Sequence, residues 1–154
     1  MGTRVYVSLN HEDEAQRKWF ELLAKQSRHE LHTFERAELL VRDRTGRPLR
    51  TAPTDVRAEP LRMALRERLM KSERMVVLIA RDTGVNEWVD WEIRTFFELK
   101  QQEAGSTAWR RLRGMRGKGH RVSRGGDPDA LAGRATVTLD WSPASLERWL
   151  ETAL

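Results

Sequence analysis

The chain has 154 residues, enough to bury a core without covalent staples, and it contains no cysteine. That excludes a disulfide framework, a thiolate zinc site and a thiol nucleophile. The net charge of +5 is uneven: Trp109 to Gly126 holds six Arg, one Lys and no acid, so the remainder sums to −2. One basic, glycine-rich strip at 109–126 is thus expected on a mildly acidic single domain covering 1–154.

The opening MGTRVYVS passes directly into a strand-like stretch, Thr3 to Leu9, without the basic-then-apolar pattern of a signal peptide. The same stretch sets aside Gly2 as a myristoylation start, because Val5, Tyr6 and Val7 read as buried strand. Asn10 is the expected N-cap of a helix through HEDEAQRKWFELLAKQS, with Glu12, Asp13 and Glu14 at the positive end of its dipole. ELHTFE, Glu30 to Glu35, alternates weakly as a strand. RDRTGRPLRTAPTDVRAEP then reads as a long loop, of a length that is usually functional or mobile in a compact domain.

Leu61 to Glu73 predicts an amphipathic helix on Leu61, Ala64, Leu65 and Leu69. RMVVLIA, Arg74 to Ala80, is the strongest strand signal, and its unbroken apolar character predicts cover on both faces. NEWVDWEIRTFFELK, Asn86 to Lys100, is a helix whose apolar face carries Trp88, Val89, Ile93, Phe96 and Phe97. Glu92 sits on that face. The positions one turn away hold Trp88, Val89, Thr95 and Phe96, so no base pairs with it along the helix. Further on, the interval up to the ATVTLDW strand offers either a thin strand around HRV or an inserted loop, with a helical turn at DPDALAG. SPASLERWLETAL closes the chain as a helix with Ser142 as N-cap and Pro143 in first position.

Strand and helix alternate throughout, which predicts a flavodoxin-like α/β three-layer sandwich with a mostly parallel sheet of four to five strands. No apolar run approaches the roughly 20 residues of a membrane span, so no membrane association and a cytoplasmic location are expected. Open sheets of this kind bind ligands beyond the carboxyl ends of their strands, where neighbouring connections leave on opposite faces. With strand order 2-1-3-4-5, the crevice walls are Ser8, Leu9 and Asn10 on one side and Arg81, Asp82 and Thr83 on the other. Glu92, in the second turn of the helix after the third strand, falls beside it.

RVYVSLNHEDE, RMVVLIARDTGVNEWVDWEI and the terminal strand and helix resemble a TIR domain, most closely the bacterial TIR-like group of the Thoeris antiphage systems. The resemblance runs from about Arg4 to Lys100 and again over Ala135 to Leu154, and EWVDWEI is its most specific part. It implies that Glu92 is the catalytic residue of NAD+ cleavage and that Leu9, Asn10 and His11 line the substrate pocket. Two departures stand out. Leu9 occupies a place where many such enzymes have an aromatic residue, and the fourth strand, normally apolar, is represented by RRLRGMRGKGHRV.

Cleaving the nicotinamide–ribose bond requires stabilising an oxocarbenium-like ribose, and a carboxylate in a water-poor site supplies that field. Water as acceptor gives ADP-ribose; an acceptor within the nucleotide gives a cyclic ADP-ribose-type product. Beside this enzymatic expectation stands a catalytically inactive TIR-like protein-interaction module in which Glu92 is structural. Ser8 and Asn10 read as nucleotide contacts or loop caps, Asp82 as a ribose ligand or a turn residue, and Trp88 as a stacking wall or rim packing. His29 and His32 of HELH read as solvated surface, and no metal and no cofactor beyond NAD+ as substrate is expected. The expected partners are a second copy of the chain or a TIR or effector protein, with nucleic acid on the basic strip as the lesser option.

Overall fold

The computed structural model describes residues 2–34, 44–47, 51–80, 83, 86–117, 127–134 and 138–154. Its strands are β1 (Arg4–Ser8), β2 (Glu30–His32), β3 (Arg74–Ile79), β4 (Leu112–Arg116) and β5 (Thr138–Leu139). They form one sheet in the order β2-β1-β3-β4-β5, and every neighbouring pair is parallel. The helices are α1 (Glu14–Gln26), α2 (Glu59–Lys71), α3 (Glu87–Ala104) and α4 (Pro143–Leu150). None of the described helices is long and apolar enough to cross a membrane.

Side chains alternate across a strand, and here the alternation divides the core in two. Val5, Val7, Val76 and Leu78 pack with Leu23 of α1 and with Leu146, Trp149 and Leu150 of α4. Tyr6, Met75, Val77 and Ile79 face the other way, against Leu61, Leu65 and Leu69 of α2 and Val89, Ile93, Phe96 and Leu99 of α3. All six residues of β3 are buried, as its apolar run predicts. The chain leaves β1 through α1 on one face and leaves β3 through α3 on the other, so the switch point lies between these two strands.

Ser142 and Pro143 start α4 as expected, with Ser142 Oγ accepting from the Ser145 amide. Gly105, at φ 58, ends α3 in a left-handed conformation that suits glycine. The cap of α1 is not Asn10. Asp13 accepts from the Ala15 and Gln16 amides, while Asn10 Oδ1 takes the Glu12 amide in the preceding turn. Two local acceptors compete there, and the one nearer the helix closes it.

The fourth strand also differs from expectation: it is LRGMR, inside the basic strip, whereas HRV at 120–122 lies outside the described residues. Leu112, Gly114 and Met115 are buried, and the arginines between them find their own places. Arg113 lies over the rings of Trp109 and Trp149, and Arg116 pairs with Asp127 at 2.6 Å. Long basic side chains with such outlets cost the strand little.

Candidate active site

Asn86 caps α3 by accepting from the Val89 amide at 3.0 Å, which fixes the phase of the helix. Val89, Ile93 and Phe96 then turn onto the sheet, and Glu92 goes with them, 1 % exposed. Its Oε2 accepts a hydrogen bond from the hydroxyl of Tyr6, in the adjoining strand β1 and 86 residues away in sequence. Burial of a carboxylate is expensive unless charge-assisted hydrogen bonds offset it, and the phenol supplies one.

Tyr6 is itself fully buried and meets the ring of His32 edge-on, with centroids 5.5 Å apart. The Ser72 hydroxyl donates to the Arg68 carbonyl at 2.8 Å, so it accepts from His32 Nε2 at 3.0 Å. Burial, with added repulsion from Arg4 and Arg68, lowers the His32 pKa from 6.5 to about 4. His32 is therefore a half-buried, neutral residue at pH 7, not the solvated surface expected of it.

This depression has a measurable consequence. Unfolded chains bind a proton at His32 near pH 6.5 and folded ones only near 4, so the stability tied to the neutral ring is complete above 6.5. It is lost as pH falls from 6.5 to 4. After discounting for partial solvent screening, the loss is roughly 1–2 kcal/mol. Thermal melts of the wild type and His32→Asn across this window should show a steeper decline in the wild type.

Ser8, at the carboxyl end of β1, shares the Tyr6 face by strand alternation. It is fully buried, and its Oγ has no hydrogen-bond partner among the described residues. Buried hydroxyls without partners are uncommon in proteins. Trp88, one turn before Glu92, donates from Nε1 to the Thr51 carbonyl at 2.8 Å and meets Trp91 edge-on at 5.8 Å. Part of the β2–α2 connection thus rests against the start of α3.

The remaining expected residues divide. Leu9 is buried with Val5, Val7 and Leu23 on the α1 side of the sheet. With His11, Arg17, Lys18, Phe20 and Thr33 it lines a cavity of about 290 Å³. That volume sits at the lower edge of the roughly 300–1,000 Å³ typical of small-molecule pockets. His11 Nε2 lies 3.2 Å from Thr33 Oγ1, whose proton goes to the Val7 carbonyl. Asp82 lies outside the described residues.

Gln16 carries no signal in the sequence, yet it braces both walls of the switch point. Its Oε1 accepts from the Asn10 amide at 3.1 Å, and its Nε2 lies 3.3 Å from Thr83 Oγ1. Thr83 Oγ1 also accepts from the Ala80 amide and donates to the Leu78 carbonyl. Gln16→Leu keeps most of the volume and leaves the Asn10 amide without its acceptor, so urea unfolding should show a loss of about 1–3 kcal/mol.

His29, Glu147 and Glu151 bring ligand atoms within 4.8 Å of one another, supplying acidic partners that the spacing of HELH does not reveal. The ring nitrogens decide what this cluster is. The Thr3 amide donates to Nδ1 at 2.9 Å, so the neutral ring carries its proton on Nε2 and gives it to Glu151 at 3.0 Å. A metal needs the lone pair of that nitrogen and a ring N–H donating on the far side. The cluster is a tie between α4 and the amino end of the sheet. His29 too is ordered rather than solvated, its side chain 7 % exposed.

The family model described as Thoeris protein ThsB, TIR-like domain, matches residues 6–105. The chain belongs to the ThsB TIR-like family. No curated protein matches it by sequence. The match begins at Tyr6 and runs through α3, so it includes both Glu92 and its phenol partner. It assigns the chain to the TIR-like domains of an antiphage-defence system, a class that generally acts through protein interaction or oligomerisation. The ThsB TIR-like match ends before β4, β5 and α4, which complete the sheet and cover its α1 face.

Proposed function

We propose that this TIR-like domain cleaves the nicotinamide–ribose bond of NAD+ in antiphage defence, with Glu92 as the catalytic residue. The observation that carries the proposal is a carboxylate buried beside the switch point of a parallel sheet, on the same face as the Ser8 hydroxyl, which has no partner among the described residues. In the reaction the bond from ribose C1′ to the pyridinium nitrogen breaks, and its electron pair leaves with neutral nicotinamide. The Glu92 carboxylate stabilises the positive charge left on the ribose. Water then adds to C1′ and releases a proton, giving ADP-ribose; a nucleophile within the bound nucleotide gives a cyclic ADP-ribose-type signal instead. Ser8, Asn10, His11, Asp82 and Trp88 are the proposed contacts to the nucleotide. No further cofactor is needed, because the leaving group is already cationic.

A second reading is favoured by the 1 % exposure of Glu92 and the packing of Leu9 into the core. In it the domain is a catalytically inactive module that binds a second copy of itself or an effector protein. Incubating the purified protein with NAD+ over a range of protein concentrations, and measuring free nicotinamide, separates the two. Release that rises faster than linearly with protein supports an enzyme active as an oligomer. Silence at every concentration, together with stable capture of a protein partner, supports the interaction module.

A further inference from the structure

Glu92 is held by a residue whose own placement leaves it little freedom. Tyr6 lies inside β1 with strands paired on both sides, to His32 of β2 and to Met75 of β3. The ring of His32 meets it edge-on, and His32 is anchored through Ser72 to the Arg68 carbonyl of α2. The phenol therefore sits at the end of a packed series running from α2 to α3. A buried tyrosine hydroxyl requires a partner, and the phenol donates its proton to Glu92 Oε2.

We propose that Tyr6 is a positioning residue for Glu92: its hydroxyl fixes one carboxylate oxygen and thereby the plane in which the other is presented to the substrate ribose. This rests on Glu92 being the group that meets the ribose, and it adds a second residue to that site. A carboxylate on a three-torsion side chain can adopt several orientations, and only one places its charge against C1′. Misplacement by about 1 Å can cost up to roughly 10²-fold in rate. Loss of the phenol proton should act on turnover rather than on substrate affinity, because the hydroxyl of Tyr6 is engaged with Glu92.

Tyr6 is the sole tyrosine of the chain, which permits a test that does not depend on activity. Protein grown with 3-fluorotyrosine should give a single ¹⁹F resonance, and that resonance should move in Glu92→Gln, where a neutral amide replaces the charged acceptor. In parallel, Tyr6→Phe should lower kcat for nicotinamide release about tenfold with KM unchanged. A resonance that stays in place in Glu92→Gln overturns the proposal. So does a Tyr6→Phe protein with wild-type kcat. If the wild type releases no nicotinamide, NAD+ cleavage is what fails, and the ¹⁹F shift alone then decides whether Tyr6 holds Glu92. The labelled proteins retain the tyrosine ring, so the spectroscopic result stands even where Tyr6→Phe does not fold.

Discussion

Glu92→Gln is expected to reduce nicotinamide release by roughly 10²–10³-fold, the scale lost when a preorganised electrostatic group is removed from a reacting centre. The substitution is nearly isosteric, and the amide oxygen can still accept from Tyr6. It removes the negative charge and little else. Because burial of a charge is costly, the same change should leave the melting temperature level or raise it. Activity and stability are thus expected to move in opposite directions, which a merely structural glutamate does not do. Glu92→Ala is less informative, since it also opens a cavity and strands the Tyr6 hydroxyl.

The largest loss of stability is expected from Arg74, at the amino end of β3. It is 3 % exposed and has no carboxylate partner among the described residues. Its guanidinium donates instead to the Trp149 carbonyl at 2.6 Å, to Thr152 Oγ1 at 3.2 Å and to the Thr152 carbonyl, and it lies over the Trp149 ring. A cation at the carboxyl end of a helix is well placed for the dipole and for the last carbonyls. Here it fastens α4 to the sheet, although burial lowers its pKa. Arg74→Ala leaves the Thr152 carbonyl without this donor and removes the packing against Trp149, so urea unfolding should show a loss of about 3 kcal/mol. Arg74→Lys should recover only part of it, because a single ammonium cannot reproduce the fork.

Much of this fold is legible in the sequence because the signals are local. RMVVLI announces a strand covered on both faces, Ser142 and Pro143 announce a helix start, and Glu92 shows itself as an acid on an apolar stripe. What is hidden depends on partners far apart in the chain. Nothing near Gln16 says that it will meet Thr83, and nothing near His29 says that Glu147 and Glu151 will close on it. LRGMR is disguised by two arginines whose outlets, a pair of indoles and Asp127, appear only in three dimensions. The Tyr6–Glu92 pair lies between these extremes. A tyrosine within a run of buried valines must find an acceptor, and the acid on the apolar stripe of α3 is the natural match once both are placed on one face of the sheet. The expected pocket residues divide for a similar reason, since Ser8 and Leu9 are neighbours in sequence but point to opposite faces.

The most direct measurement is a ¹H NMR time course of NAD+ with equal concentrations of the wild type and Glu92→Gln. Catalysis by Glu92 predicts free nicotinamide resonances growing in the wild-type sample, with ADP-ribose or a cyclic product beside them, and NAD+ unchanged in the variant. Equal rates in the two samples contradict it.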